Sequence, residues 1–235
     1  MSKPARAFDE ELQALKEKLL EMAVLTEEQI GLAERSLKER QEETARAVIE
    51  REERLNILDV AIDDECLRLL ALRQPLAVDL RFITSAMKIV SDLERIGDLA
   101  FNIAERSLRL LEQPQLKPLI DIPRMAALAQ GMVRDAIDAF IHRDDLLARE
   151  VCRRDDLVDY LNDQIFRELL TFMMAEPTTI PRAVDLILVG RYLERIADHA
   201  TNIAEDVIYM VKGETIKHHA DDRQRPDAVP RGKGA

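Results

Sequence analysis

Apolar residues recur along the chain at steps of three and four, the period of a helix that buries one stripe. Leu12, Leu15, Leu19 and Met22, continued by Ile30, Ala33 and Leu37, predict a first helix. Leu55, Leu58, Ile62, Cys66 and Leu69 predict a second, and a third runs from about Ala77 to Leu111. The pattern then returns. Met125, Leu128, Met132, Ala136 and Ala139 predict a fourth helix; Val158, Leu161, Ile165, Leu169 and Phe172 a fifth; and the stretch PRAVDLILVGRYLERIADHATNIAEDVIYMV a sixth. Proline punctuates these segments at Pro75, at Pro114, Pro118 and Pro123, and at Pro177 and Pro181, because its ring and missing N–H break a helix interior.

The second and fifth helices share one step pattern at an offset of 103 residues, and the third and sixth match at an offset of 100. Between residues 93–105 and 193–205, LERIGDLAFNIAE and LERIADHATNIAE agree at ten of thirteen positions. The chain is therefore an internal duplication, three helices and then three more. Helices of about 25–35 residues, roughly 40–50 Å long, joined by short loops pack as antiparallel bundles. The expected fold is all-α, two tandem pseudo-symmetric three-helix bundles lying side by side or end to end. Residues 1–113 form the first bundle, 114–122 a linker and 123–213 the second. Residues 214–235 form a polar, Pro-containing tail expected to be largely disordered.

Composition agrees with this. Aromatics are only 4% of 235 residues, Trp is absent and Gly numbers 7, too few for a turn-rich sheet protein. The net charge of -11 repels nucleic-acid phosphates and anionic lipid, and favours cations or a basic partner surface. No apolar run approaches the roughly 18 residues of a membrane span, and the N-terminal stretch has no signal-peptide core. Cys66 and Cys152 have no metal-ligand spacing and read as reduced core residues. The expected location is the cytoplasm.

The candidate chemistry lies in the repeated stretch. At about 100° per residue, with Glu94 at zero, Asp98 falls near 40°, Asn102 near 80° and Glu105 near 20°. Leu93, Ile96, Ala100 and Ile103 fall between about 180° and 260°, on the opposite face. Glu194, Asp198, Asn202 and Glu205 repeat the arrangement. Like charges one turn apart repel by a few tenths of a kcal/mol, and a cation would relieve this, since carboxylate and amide oxygens are ligands of hard metals. The second helix adds Asp59 and Asp63, the fifth Asp155, Asp159 and Asp163, but these do not superimpose, so two ion sites would differ in ligands. Most of these acids also suit a solvated surface. The stripe itself can equally be a solvated face, with ion pairs from Arg95 to Asp98 and from Arg191 to Glu194. His142 ends the fourth helix, His199 replaces Leu99 of the first copy, and His218 and His219 lie in the tail. None of the four is a repeated ligand.

These residues resemble the PhoU family of phosphate-uptake regulators. LERIGDLAFNIAE and LERIADHATNIAE are similar to its doubled E(D)xxxD motif, and FDEELQALKEKLLEM, CLRLLALRQPLAVDLRFI and DVIYMVKGETIKH extend the resemblance over about residues 6–219. The resemblance implies a bacterial cytoplasmic protein of two three-helix repeats, often a homodimer. It implies a negative regulator of phosphate uptake and the phosphate-starvation response. The partners it implies are the ATPase subunit of the phosphate ABC transporter and a phosphate-sensing histidine kinase, with the membrane met only through them. It also implies iron or zinc at the motif positions Glu94, Asp98, Glu194 and Asp198, with Asn102 and Asn202 extending the stripe. Asp59 and Asp159 are carried as further candidate ligands.

Three readings are open at this point: a non-enzymatic adaptor, a helical scaffold with no ion, and a carboxylate-bridged di-iron enzyme. The last needs Glu-x-x-His pairs, and the sequence has none. Nor does it hold a phosphate-binding Gly loop or a dinucleotide fingerprint.

Overall fold

The computed structural model describes residues 3–213. Six helices follow one another: α1 (Lys3–Glu39), α2 (Glu42–Arg73), α3 (Ala77–Leu111), α4 (Asp121–His142), α5 (Asp145–Ala175) and α6 (Ile180–Lys212). A single 3₁₀ turn, Pro177–Thr179, leads into α6, and no strand occurs among the described residues. Helix lengths run from 22 residues in α4 to 37 in α1, a wider spread than expected from the sequence.

The apolar stripes read from the sequence are the core. Leu15, Leu19, Met22, Leu55, Ile62, Leu93 and Ile96 of the first repeat are fully buried, as are Met125, Val158, Leu161, Ile165 and Ile196 of the second. Burying each large side chain contributes roughly 1.5–3 kcal/mol. Helices α1–α3 form one bundle and α4–α6 the other. The bundles lie side by side, α3 packed on α6 and α1 on α4.

The same device ends the first helix of each repeat. Arg40 and Arg143 take left-handed backbone (φ 55° and 57°), which turns the chain back without glycine. Arg40 also reaches over to the end of α3, donating to the carbonyls of Leu110, Leu111 and Gln113 at 3.0, 3.2 and 2.6 Å. Asp144 caps α5 through the N–H groups of Leu146 and Leu147, each at 3.0 Å. Pro123 does not delay α4, which opens at Asp121; in a first turn the missing N–H would have had no helical partner anyway.

The α3–α6 seam is antiparallel and polar at intervals. Lys88 reaches Asp206 at 2.7 Å, His199 Nδ1 lies 2.8 Å from Asp92 Oδ1, and Arg106 reaches Asp185 at 3.0 Å. Arg81 donates to the Met210 carbonyl at 3.1 Å, so the start of α3 lies against the end of α6. A stacked pair, Phe82 and Phe140, with ring centroids 4.8 Å apart, joins the repeats near the same end.

Candidate functional site: two acidic helix faces

Glu94 and Asp98 stand on α3 with Leu93 and Ile96 buried behind them. Asp59 of α2 faces them: burial pushes the Glu94 carboxyl above its usual range, and the charges of Asp98 and Asp59 push the same way, against Arg95 and His199. The Asp59 carboxyl is raised too, chiefly by burial, then by Asp63, with Arg95 opposing. Glu52, about two turns earlier on α2, is raised by burial and by Asp98 and Glu105. The first acidic face is therefore a seam between two helices, held by α2 as much as by α3. Arg95 partly neutralises it, 3.4 Å from Glu94 and 3.5 Å from Asp98.

The second face is built alike but satisfied differently. Burial raises the Glu194 carboxyl against the pull of its hydrogen bond from Arg191, while Asp159 and Asp198 add to the rise. Asn162 of α5 donates to Glu194 at 2.9 Å. Asp159 is raised by burial, then by Asp198, Asp156 and Asp163. At the matching position of the first repeat, Asn162 is replaced by Asp59. The first face thus carries a carboxylate where the second carries a neutral donor, and is the more charged at that point. Farther along, Cys152 lies near Glu205, and burial with the nearby acids pushes its thiol up to about 11. Cys66, fully buried, is pushed up to about 12. Both cysteines are free thiols.

The structure thus brings Glu94, Asp98 and Asp59 together on one seam, and Glu194, Asp198 and Asp159 on the other. Asn102 is half-buried and Asn202 exposed on the continuation of each stripe; neither side chain makes a hydrogen bond among the described residues. Glu52, Asn162 and the His199–Asp92 pair were not singled out by the sequence. His218, His219 and the tail they belong to lie outside the described residues.

The oxygen donors suit a hard or borderline cation such as iron or zinc in kind. In position they are not gathered: among the described residues no three His, Cys, Asp or Glu side chains converge as the ligands of one ion do. Binding would require Glu94, Asp98 and Asp59 to rotate toward one point. These partly exposed side chains have that freedom, and a bound cation would offset the mutual repulsion that otherwise opposes it.

A duplicated six-helix protein with a carboxylate face on each third helix is the class these features define. The matches are specific. A family model for the PhoU domain matches residues 19–107 and again 122–207, so this chain belongs to the PhoU family. It is 46% identical over 208 residues to the phosphate-specific transport system accessory protein PhoU homolog of Aquifex aeolicus, covering 88% of this chain and 94% of that one. It is 41% identical to the homolog of Pseudomonas putida, with 91% and 84% covered. Among solved structures, PhoU from Pseudomonas aeruginosa superposes with a TM-score of 0.86 at 41% identity, covering 88% of this chain and all of that one. The phosphate transport system regulatory protein PhoU from Streptococcus pneumoniae gives 0.81 at 30% identity, with 88% and 98% covered.

Proposed function

We propose that this protein regulates phosphate uptake and phosphate homeostasis as a non-enzymatic adaptor. In this reading it restrains the phosphate ABC transporter and phosphate-starvation signalling by docking on the transporter's ATPase subunit and on a phosphate-sensing histidine kinase. The observation that carries the reading is the match of both repeats to the PhoU domain, with relatives named as accessory proteins of phosphate-specific transport over nine-tenths of the chain. The absence of a helix long and apolar enough to cross a membrane among the described residues accords with attachment through partners.

The acidic seams supply the docking charge. Where iron or zinc is bound, Glu94, Asp98, Asn102 and Asp59 hold it on the first seam, and Glu194, Asp198, Asn202 and Asp159 on the second. The ion's contribution is charge neutralisation and stiffening of the helix pair. The Arg95 and Arg191 ion pairs favour the plainer scaffold reading, because they already offset part of the repulsion.

Two measurements separate these. Co-purification with the transporter ATPase or the histidine kinase at about 0.15 M salt is expected; failure of both removes the adaptor reading. A metal inventory of protein purified without a His tag or chelator is expected to find iron or zinc, reduced by Glu94→Ala with Asp98→Ala at unchanged helicity. Equal metal content in variant and wild type returns the first seam to the scaffold reading.

A further inference from the structure

The charges that cross the α3–α6 seam are sorted by helix. Lys88 and Arg106 of α3 supply the cations, and Asp206 and Asp185 of α6 the anions, at 2.7 and 3.0 Å. Arg106, Asp185 and Asp206 are largely buried, so salt and water screen these pairs weakly. Arg81 of α3 also donates across the seam, to the Met210 carbonyl. The Asp92–His199 contact runs the other way, but carries a cation only when the imidazole is protonated.

The apolar part of the seam is copied between the repeats, and the charged part is not. At the offset of 100, Leu93, Ile96, Ala100 and Ile103 become Leu193, Ile196, Ala200 and Ile203, all buried. Such a stripe fits a copy of itself as well as it fits its counterpart. Lys88, however, becomes Leu188, Arg106 becomes Asp206, and Ser85 becomes Asp185. Two α3 helices packed in the register of the seam would set Lys88 against Arg106 twice. Arg106 would lie over the Ser85 hydroxyl, and Asp92 would face Leu99 instead of His199. Arg81 would come to Leu110, whose carbonyl already accepts from Arg40. Two α6 helices would set Asp206 against Asp185 twice, with Pro181 where α3 has Arg81. Like charges placed face to face in a partly buried contact penalise the wrong pairing.

We propose that the seam is a recognition surface whose fitting partner is the opposite repeat, in the same chain or in a second copy of this chain. A second copy then engages through the seam by exchange, its second repeat on the first repeat of this chain and the reverse, and not like on like. Residues 112–120 join the two repeats; extended, such a stretch spans about 30 Å, long enough to pass from one copy to the next. The proposal does not depend on the adaptor reading.

Two full-length variants give the seam a single sign. An acidic variant carries Lys88→Asp with Arg106→Asp, and a basic variant Asp185→Lys with Asp206→Lys. Each alone confronts like charges; the two together are complementary, but only between chains. They are unfolded in urea and refolded separately and as an equal mixture at about 0.15 M salt. At the urea concentration where each variant alone is half unfolded, the mixture is expected to have a folded-to-unfolded ratio at least about tenfold higher. An affinity tag on the acidic variant is expected to retain more of the basic variant than of untagged acidic variant. Both differences are expected to shrink at about 1 M salt. A chain with all four substitutions has its seam reversed and is expected to refold alone with a midpoint close to that of wild type. A mixture no more stable than its components overturns the proposal, as does equal retention of the acidic and basic variants by the tag. A four-substitution chain as unstable as the two-substitution chains also overturns it, because the positions then matter for something other than the pairing of their charges.

Discussion

His199 Nδ1 of α6 lies 2.8 Å from Asp92 Oδ1 of α3, tying the repeats together where their internal symmetry is broken. In the other copy position 99 is Leu, and opposite Asp92 stands Tyr192. Both side chains of the pair are only 17% exposed, and the imidazole is the one side-chain partner of Asp92 among the described residues. His199→Leu, which restores the symmetry, strands a largely buried carboxylate and is expected to cost about 1–3 kcal/mol. His199→Leu with Asp92→Leu leaves nothing stranded and is expected to recover part of that loss. Urea unfolding of both variants checks the pair, and strictly additive losses would show the two side chains to be uncoupled.

Gly97 and Leu55 form a second such pair. A Cβ at Gly97 would overlap Leu55 Cδ2. The second repeat has Ala197 in place of the glycine and Val158 in place of the leucine, the same total volume divided differently. Gly97→Ala is expected to destabilise by about 1–3 kcal/mol through overpacking, and Leu55→Val in the same chain to relieve it. If the double variant is no more stable than Gly97→Ala, the compensation is not local.

Gln29 is a buried amide whose Oε1 has no hydrogen-bond partner. Counting from the matched turns at Arg40 and Arg143, its counterpart in α4 is Met132, fully buried in the apolar core. Gln29→Met removes a desolvated, unpaired oxygen and keeps the volume. It is expected to stabilise by about 1 kcal/mol, raising the denaturation midpoint at an unchanged denaturant slope.

Glu94 and Asp59 have carboxyls raised above their ordinary range, chiefly by burial. The folded chain therefore holds protons that the unfolded chain has already lost. Their favourable contribution is complete at pH below the ordinary carboxylate range and falls away as pH rises through the raised range. Glu94→Gln with Asp59→Asn is expected to be more stable than wild type by about 0.5–1 kcal/mol near pH 7, with the gap closing toward about pH 3.5. Chemical denaturation of chelator-treated protein across this range reads the difference. A gap that grows toward acid would reverse the assigned sign.

The helical period carried most of the architecture. The third helix runs from Ala77 to Leu111 as read, because its apolar stripe is unbroken and the punctuation at Pro75 and Pro114 encloses it. The duplication was visible for the same reason, since a repeated core requires a repeated stripe. The acidic faces were half legible. Spacing along one helix puts Glu94 and Asp98 together, but their neighbours Glu52 and Asp59 come from α2, whose register against α3 no single-helix pattern specifies. Asn162 beside Glu194, and His199 beside Asp92, depend on rotamers and on which helix of one repeat meets the other. Pro123 misleads as punctuation because a first turn tolerates it.

Lys16 of α1 sits over the Phe82 ring and the Met210 carbonyl of α6 receives Arg81, so α1 and α6 each contact the first turns of α3. A circular permutant that connects α6 back to α1 through an added flexible linker and is cut between Glu112 and Ile120 would begin with the second repeat and end with the first. It would lose no helix contact in exchanging them. Its folding would show that the order of the halves along the chain, unlike the seam between them, carries no structural information.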